Sequence, residues 1–177
     1  MTAKRTRELE EKNRQLEALS TTDWLTKVSN RSKLDAIFGE QIQRAQRYGA
    51  PFSILLCDVD FFKRVNDTHG HQCGDQVLVE LAKLLKNSLR QMDHVGRWGG
   101  EEFLVILPET QLEEAVTLAE RLRSAVDAHA FPGAQRHVTI SLGVSSYQPD
   151  DTADAMTARA DQALYRAKSE GRNRVHV

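Results

Sequence analysis

The sequence predicts an α+β fold in which a central mixed β-sheet is flanked by helices. Amphipathic segments of helix length alternate with apolar segments of strand length, and two strand-like segments flank Gly99-Gly100 as in a tight β-hairpin. A hairpin inside a βα alternation gives a mixed sheet. The chain has 177 residues, enough for one ordinary domain with a hydrophobic core. We expect residues 1–20 to form an N-terminal helix and residues 21–177 to form that domain.

The first helix is predicted from Met1 to about Leu19, because this segment is rich in Glu, Lys, Arg, Gln and Leu and contains neither Gly nor Pro. Leu9 and Leu16 are seven residues apart and Asn13 follows Leu9 by four, a pattern typical of two-stranded coiled coils. Because the segment covers only about two heptads, a solvated helix explains it equally well. As a coiled-coil signalling stalk, it would make the chain the output end of a longer protein.

The remaining elements are predicted from apolar periodicity and from residues that cap or stop helices. The helix before the first strand is closed by Gly49-Ala50-Pro51, and the last helix is followed by Gly171. A polar loop with a short helical piece is expected at residues 61–74. Helices are expected over residues 30–48, 75–90, 111–128 and 151–169, and strands over residues 52–60, 103–107, 137–147 and 174–177 and just before Gly99.

Composition and charge exclude several function classes. The formal net charge of -1 provides no global basic field for nucleic-acid binding. No apolar run approaches the roughly 20 residues of a membrane-spanning helix, and the charged N-terminus lacks the apolar region of a signal peptide. Cys57 and Cys73 form neither a disulfide framework nor a four-ligand zinc pattern. We therefore expect a cytoplasmic chain without a nucleic-acid partner or a membrane segment.

Two pairs of acidic residues lie at predicted strand ends, namely Asp58 and Asp60 after the first strand and Glu101 and Glu102 after the glycine turn. Alternation along a strand puts Asp58 and Asp60 on one face. Adjacent residues point to opposite faces, so at most one of the two glutamates can align fully with Asp58. Mg²⁺ takes few protein ligands and keeps its remaining positions for water and phosphate. Solvated strand ends explain either pair alone, but both pairs on one small sheet favour a metal site.

The turn between the strands has two explanations. The Gly99-Gly100 pair is expected to adopt positive φ, as a tight hairpin requires. A backbone without side chains also lets a ligand approach closely.

Phosphate-binding groups are expected on both sides of the acidic pairs. The backbone N–H groups of Phe61-Phe62-Lys63 follow Asp60 where a turn could wrap a phosphate, and Lys63 adds a positive charge. Lys168 and Arg172, at the end of the last helix, would suit the β- and γ-phosphates of a nucleotide. Core packing of at least one of the two phenylalanines and favourable contact of the two cations with the helix dipole are the structural alternatives.

Two further pairs are candidates for ligand recognition. Guanine presents two donors and one acceptor on its Watson–Crick edge, which suit the carboxylate of Asp75 and the amide of Asn66. Taken alone, these residues are better explained as a helix N-terminal acid and a turn residue. Arg90 and Asp93 are either a local ion pair or an exposed arginine that binds a phosphate or a base edge, with the aspartate as its acceptor.

Several motifs in order make the chain resemble a GGDEF-domain diguanylate cyclase from about Thr22 to Val175. The signature is present in its Glu variant, which active members of the family also carry. One position departs from the family pattern, because Lys27 stands where the family usually has Gly. This difference affects the expected local shape of the loop after Thr26 and not the expected chemistry. The matching motifs are Thr22-Asp23-Trp24-Leu25-Thr26 with Asn30-Arg31, residues 58–67 and 70–75, Gly99-Gly100-Glu101-Glu102-Phe103, and residues 168–173.

The resemblance implies a fold similar to the palm of nucleotidyl cyclases and polymerases. It implies a homodimer that condenses two GTP molecules into cyclic di-GMP and two pyrophosphates, with Mg²⁺, or Mn²⁺ in its place, as cofactor and an upstream sensor domain as regulator. Glu101, Glu102, Asp58 and Lys63 are the implied catalytic residues. The resemblance places the divalent metal at Asp58, the Val59 carbonyl, Glu101 and Glu102, the phosphates at Phe61, Phe62, Lys63, Lys168 and Arg172, guanine at Asn66 and Asp75, and product inhibition at Arg90 and Asp93, with Arg44 as a further arginine of that site.

Two other functions stay open. A catalytically silent receptor would bind cyclic di-GMP at Arg90 and Asp93 and signal by contact, although no residue of the signature is visibly broken. A cyclase for ATP or mixed purines is less compatible with Asp75, because adenine N1 is an acceptor and would face a carboxylate.

Overall fold

The computed structural model describes residues 2–132 and 137–177, so Met1, where the first helix is expected to begin, lies outside the described residues. Within these ranges the chain forms six helices and five strands. The elements are α1 Thr2–Leu19, α2 Arg31–Tyr48, β1 Phe52–Val59, α3 Phe62–His69, α4 His71–Ser88, β2 His94–Arg97, β3 Glu102–Pro108, α5 Leu112–Ala128, β4 Ile140–Ser146, α6 Ala153–Ser169 and β5 Val175–His176.

The strands form one sheet in the order β2-β3-β1-β4-β5. All neighbouring pairs are antiparallel except β4 and β5, which are parallel, so the prediction of a mixed sheet is confirmed. The central strand β1 is buried along its whole length. Because β1 is the third of the five strands, its carboxyl end lies between the first residues of β3 and β4.

Two hydrophobic cores lie on opposite faces of the sheet. On β1, Leu55 and Cys57 belong to the core beneath α3, α4 and α5, whereas Ile54 and Leu56 belong to the core beneath α2 and α6. This alternation is what a strand with both faces covered requires. By the same alternation, Asp58 lies on the α2/α6 face of the sheet.

Helix α6 packs unusually close to the sheet at Gly143 of β4. A Cβ atom at this position would lie 1.9 Å from the backbone oxygen of Ala160, so any larger residue would displace the helix. Because α6 carries Lys168 in its last turn, this close packing fixes the position of Lys168 relative to β1.

The N-terminal helix prediction is confirmed over Thr2–Leu19. The two leucines at heptad spacing, Leu9 and Leu16, are 63% and 64% exposed. In residues 2–132 and 137–177, no helix has both the length and the apolar character that crossing a bilayer would require.

The region predicted as a polar loop at residues 61–74 is mostly helical, and this prediction is wrong. Helix α3 ends at His69, and α4 begins at His71 rather than at residue 75. Gly70 alone separates the two helices, with a φ of 85° that favours glycine. Gly74 lies inside α4, and glycine is required there because a Cβ atom would be 1.8 Å from Asn66 Oδ1. Within the predicted loop, Gly70 is therefore a one-residue helix break and Gly74 is a close helix–helix contact.

The hairpin between β2 and β3 is confirmed, but its turn differs from the prediction. Residues 98–101 connect the strands, and the amides of Trp98 and Gly99 both donate to the Glu102 carbonyl, at 2.8 and 3.3 Å. Neither Gly99 nor Gly100 has positive φ. A Cβ atom on Gly100 would meet no atom within 4 Å. Space for an approaching ligand, rather than backbone conformation, therefore remains as the role for Gly100.

Several element ends are set by caps. Asn30 accepts a hydrogen bond from the Lys33 amide at the start of α2, and Gly49 ends that helix with a φ of 66°. Thr152 caps α6 by accepting from the Ala155 amide, so this helix begins two residues later than predicted. The predicted strand over residues 137–147 is regular only from Ile140 to Ser146.

Candidate active site

The predicted metal ligands meet at the carboxyl end of β1. Asp58 lies opposite Glu102 in the β1–β3 register, which confirms that one glutamate aligns with it. The Val59 amide donates to the Glu101 carbonyl at 3.4 Å, so Glu101 lies beside the same strand end. The Lys168 ammonium, from α6, contacts Asp58 Oδ2. The fold thus brings together residues separated by more than one hundred positions in the sequence.

The electrostatics of this acidic cluster, Asp58, Glu101 and Glu102, show that its members interact. Burial raises the pKa of all three carboxyl groups. The negative charge of Asp58 raises the pKa of both glutamates further, whereas the nearby Lys168 ammonium lowers all three. Like charges held together in a partly dry site favour binding of a cation.

The donor set fits a hard divalent cation. Asp58 Oδ1 is buried and has no hydrogen-bond partner among the described residues. An unpartnered buried oxygen costs about 1–3 kcal/mol, which a bound cation would offset. Carboxylate and carbonyl oxygens, such as the Val59 carbonyl, are the ligands that Mg²⁺ takes. Over residues 2–132 and 137–177, no three acidic, histidine or cysteine side chains are close enough together to form a complete metal site. The Lys168 ammonium, which contacts Asp58, partly neutralises the charge of that carboxylate.

Asp60 does not join Asp58, although strand alternation predicts that the two carboxylates share a face. The strand ends at Val59, and the Asp60 side chain is held by hydrogen bonds instead. Its Oδ1 accepts from Ser141 Oγ at 2.6 Å, and its Oδ2 accepts from Thr139 Oγ1 at 2.7 Å and from the Asn173 amide at 3.0 Å. Asp60 is therefore a structural anchor rather than part of the acidic cluster.

A cavity of about 440 Å³ opens beside the acidic cluster and holds the phosphate candidates. Glu101, Lys63, Lys168 and Arg172 all line it, together with the start of α3. The first amides of α3 have no acceptors within their own helix, and such helix starts bind anions readily. We call this space the cationic cavity.

The two phenylalanines at the start of α3 take different roles. Phe62 is 9% exposed and packs in the core, as expected for at least one of them. Phe61 has a left-handed φ of 56° and is 41% exposed. Its ring is contacted by the guanidinium groups of Arg64 and Arg172, 4.3 and 4.4 Å from the ring centroid. Phe61 thus provides a surface that supports Arg172 at the cavity.

The guanine candidates lie on consecutive helices, Asn66 on α3 and Asp75 on α4, and neither lines the cationic cavity. Asn66 Oδ1 is buried without a hydrogen-bond partner among the described residues, whereas Asp75 is exposed. Because α4 begins at His71, Asp75 lies beyond its first turn, which weakens the interpretation of this residue as a helix N-terminal acid.

The predicted inhibition pair, Arg90 and Asp93, forms a separate surface site between α4 and β2. Arg90 Nε and Nη2 donate to the two Asp93 carboxylate oxygens at 3.1 and 2.9 Å. Arg90 Nη2 also donates to the Pro108 carbonyl and to Thr110 Oγ1. The Arg90 side chain is still 52% exposed. Arg44 pairs with Glu109, 3.7 Å away.

The structure gives a role to two residues for which the motifs predicted none, Arg97 and Asp23. Arg97 Nη2 and Nε donate to the Gly100 carbonyl at 2.8 and 3.1 Å, and its Nη1 lies 3.5 Å from Asp23 Oδ2. Asp23 also accepts from the Thr26 amide and hydroxyl. These contacts tie the turn before α2 to the hairpin that carries Glu101. The only sequence feature that could have indicated this role for Arg97 is its position just before the signature Gly99-Gly100-Glu101-Glu102-Phe103.

The unusual residue in that turn, Lys27, has a left-handed φ of 62°. Lys27 therefore adopts a backbone conformation that favours glycine, the residue that the resemblance leads us to expect at this position. A non-glycine residue in this conformation costs about 1–2 kcal/mol.

With this geometry established, comparison with known proteins identifies the family. The profile described as "Diguanylate cyclase, GGDEF domain" matches residues 20–174. The chain belongs to the GGDEF family. Its GGDEF region is 44% identical over 162 residues to Response regulator PleD of Caulobacter vibrioides, a match that covers 89% of this chain. The chain spans about a third of the length of that relative, namely 36%.

Solved GGDEF structures have the same fold. The coiled coil and GGDEF domain of DgcB from Caulobacter crescentus, in complex with c-di-GMP, is 30% identical, with a TM-score of 0.86 over 99% of this chain and 94% of that one. The active GGEEF domain of a diguanylate cyclase from Vibrio cholerae is 42% identical, with a TM-score of 0.79 over 83% of this chain and 95% of that one. These similarities confirm the predicted fold class.

Proposed function

We propose that this GGDEF chain is a diguanylate cyclase that condenses two GTP molecules into cyclic di-GMP and two pyrophosphates. The observation that carries the proposal is the juxtaposition of the acidic cluster with the cationic cavity at one end of β1. The first group suits a divalent cation and the second suits a triphosphate. The active GGEEF domain among the solved relatives supports turnover with glutamate at this position of the signature.

The metal would be held by Asp58, the Val59 carbonyl, Glu101 and Glu102, with Mg²⁺ as the expected ion and Mn²⁺ as the alternative. When bound, such an ion neutralises phosphate charge and lowers the pKa of a coordinated hydroxyl. Asp58 Oδ1, which has no partner among the described residues, supports this assignment. Glu101 is the candidate both for ligation and for accepting the proton of the attacking 3′-hydroxyl.

The triphosphate would be oriented by Lys63, Lys168, Arg172 and the first amides of α3. In each half-reaction the 3′-oxygen of one GTP attacks the α-phosphorus of the other, the bond to the β-phosphate breaks, and pyrophosphate leaves. Cations held around the triphosphate stabilise the charge that develops on the leaving group. Catalysis would therefore rest on positioning and electrostatics rather than on a covalent intermediate.

Asn66 and Asp75 would read the guanine edge. Asp75 is exposed and can accept hydrogen bonds from N1–H and N2–H₂. Asn66 brings a polar oxygen that has no partner among the described residues. The same pairing disfavours adenine, which offers an acceptor at N1.

Two chains would be needed for the complete reaction. One cationic cavity per chain holds one GTP, whereas the cyclic product contains two new phosphodiester bonds. The exposed Leu9 and Leu16 of α1 suit pairing with a second copy, with Asn13 between them. We therefore propose a homodimer with α1 as a coiled-coil stalk, through which a sensor domain would set the distance between the two sites.

Product inhibition is proposed at Arg90 and Asp93. The guanidinium is oriented by Asp93 and the backbone while its side chain remains half exposed. This arrangement suits a guanine edge or a phosphate of cyclic di-GMP.

The proposal is tested by incubating the chain with Mg²⁺ and GTP at several protein concentrations, with ATP as the control substrate, and separating the nucleotides by chromatography. We expect cyclic di-GMP from GTP only, rising more than linearly with protein concentration. No product at high concentration, after removal of bound nucleotide, would indicate a cyclic di-GMP receptor instead.

The matched variants are Glu101→Ala and Glu113→Ala, the latter an exposed acid on α5. Glu101→Ala should lower turnover by at least about a hundredfold with the fold intact, and Glu113→Ala should not change it. A fully active Glu101→Ala protein would remove Glu101 from the mechanism.

A further inference from the structure

We propose that Arg123 on α5, which lies outside every motif discussed above, is a positioning residue that holds Arg172 at the cationic cavity by acting through Asn173. The inference rests on the phosphate role proposed for Arg172. It concerns a residue that never touches the nucleotide itself.

The segment that carries Arg172 has an unusual backbone. Gly171, Arg172 and Asn173 follow one another with φ values of 124°, 66° and 46°. A left-handed conformation is unfavourable for Arg172, because residues other than glycine, asparagine and aspartate rarely adopt it. Such a segment keeps its shape only where surrounding contacts determine it. Such contacts hold Arg172 itself, whose amide donates to the Ala167 carbonyl at 2.9 Å and whose carbonyl accepts from Arg174 Nε at 3.0 Å.

Further contacts hold Asn173, the residue after Arg172. Its backbone amide donates to Asp60 Oδ2 at 3.0 Å, and Asp60 is itself fixed by Ser141 and Thr139. The Asn173 side-chain Oδ1 accepts a hydrogen bond from Arg123 Nη1 at 2.9 Å. The residue is therefore held on its main chain by the end of β1 and on its side chain by α5.

Arg123 is a rigid support because its own neighbours orient it. Its Nε donates to Glu120 Oε1 at 2.7 Å, and its Nη1 lies 3.6 Å from Asp127 Oδ2. The side chain is only 19% exposed. A planar guanidinium fixed along one edge presents its remaining N–H groups in a defined direction.

Loss of the Arg123–Asn173 hydrogen bond would affect the cavity because Asn173 is bonded directly to Arg172. Arg172 directly precedes Asn173, and its guanidinium lies 4.4 Å from the Phe61 ring centroid while lining the cavity. Without Arg123, the side chain of Asn173 loses this partner and the strained segment can relax. A shift of about 1 Å in a group that positions a substrate can lower a rate by roughly a hundredfold.

The test is a double-mutant cycle on the full chain with Arg123→Ala, Arg172→Ala and the double variant. The affinity for a GTP analogue with a methylene bridge between the α- and β-phosphorus is measured by calorimetry in Mg²⁺. We expect Arg172→Ala to weaken binding about tenfold or more, Arg123→Ala to weaken it several-fold, and the double variant to bind as Arg172→Ala does.

Two further variants separate positioning from simple stabilisation. Asn173→Gly removes the Oδ1 acceptor and the side-chain hydrogen bond to Asp127 but tolerates positive φ, so its binding defect should be at least as large as that of Arg123→Ala. Arg121→Ala, on the exposed side of the same helix, should bind the analogue like the wild type. Unfolding midpoints are measured for all variants, because a purely structural role would lower them without coupling to Arg172.

Additive losses in the double variant would overturn the proposal, as would Arg123→Ala binding like the wild type while Arg172→Ala does not. If Arg172→Ala itself binds like the wild type, the phosphate role of Arg172 fails and the positioning proposal fails with it. Synthesis of cyclic di-GMP by the wild type would then still support the proposed function independently.

Discussion

The two ends of helix α6 hold carboxylates in opposite ways. Near its start, Arg159 donates to both oxygens of Asp151 at 2.8 and 2.6 Å, and the Gln148 amide donates to Asp151 Oδ2 at 2.8 Å. Near its end, Lys168 contacts one oxygen of Asp58, and the other has no partner among the described residues. The first carboxylate is fully satisfied, whereas the second is not.

The pKa directions follow the same division. Hydrogen bonds from Arg159 lower the pKa of Asp151, whereas burial raises the pKa of Asp58 against the opposing effect of Lys168. Protein folds satisfy their buried polar groups except where a ligand will complete them. The comparison supports the proposal that the Asp58 end of α6 binds a ligand, whereas the Asp151 end stabilises the fold.

The largest effect is expected for Asp58→Asn on turnover. Loss of the carboxylate should lower cyclic di-GMP synthesis by at least about a hundredfold. The free energy of unfolding should stay within about 1 kcal/mol of the wild type, because the charge that is removed is poorly satisfied. Chromatographic assay and denaturant titration measure the two quantities. More than a tenth of wild-type turnover would mean that Asp58 is not part of the active site.

The converse substitution, Asp151→Asn, should act on stability. It removes the charge that pairs with Arg159 at a buried position, and we expect the free energy of unfolding to fall by about 2 kcal/mol. Turnover per folded molecule should not change. Asp154→Asn, an exposed acid on the same helix, is the control and should change stability by less than about 0.5 kcal/mol. Equal losses in the two variants would contradict a special role for the Asp151–Arg159 pair.

The same pair predicts a pH dependence. The folded-state pKa of Asp151 lies below its unfolded-state value, so the unfolded chain takes up the proton first as the pH falls. The contribution is therefore complete at neutral pH and is lost from about pH 4 downward, as the pH passes through the folded pKa. The stability difference between wild type and Asp151→Asn should narrow over that range. A difference that stays constant down to pH 3 would rule out this ionisation as its source.

The smallest effect is expected in the turn that Arg97 ties to the hairpin that carries Glu101. Lys27→Gly removes a left-handed non-glycine residue and should raise the free energy of unfolding by about 1 kcal/mol, with turnover unchanged. Denaturant titration measures the change. Destabilisation would show that the Lys27 side chain contributes contacts that offset its backbone strain.

Structural elements that depend on interactions between residues close in sequence were predicted correctly from local sequence patterns. The apolar run of β1, the amphipathic helices and the end of α2 at Gly49 follow from residues within one or two turns, and the structure confirms them. The loop predicted at residues 61–74 was wrong, because Gly70 allows a one-residue helix break and Gly74 allows a close contact with Asn66. Both depend on how two helices pack, which sequence spacing does not report.

The site was predicted in part for the same reason. Strand alternation predicts that at most one of the two glutamates aligns with Asp58, and the register identifies it as Glu102. The separation of Asp60 from Asp58 depends on donors at Ser141, Thr139 and Asn173, 79 to 113 positions away. The link from Arg123 to Asn173 spans 50 positions and leaves no periodic signal. Contacts of this range appear only in the folded chain.

The most direct test of the difference between the two ends of α6 is a ligand-induced thermal shift. Wild type, Asp151→Asn and Asp58→Asn are melted with Mg²⁺ and the methylene-bridged GTP analogue, each against its own ligand-free control. All three proteins receive the same concentration of the analogue, about one hundred times the wild-type Kd. We expect Tm to rise by about 5–10 °C for wild type and Asp151→Asn, and by less than half as much for Asp58→Asn. An undiminished shift in Asp58→Asn, or its loss in Asp151→Asn, would contradict the assignment of ligand binding to the Asp58 end.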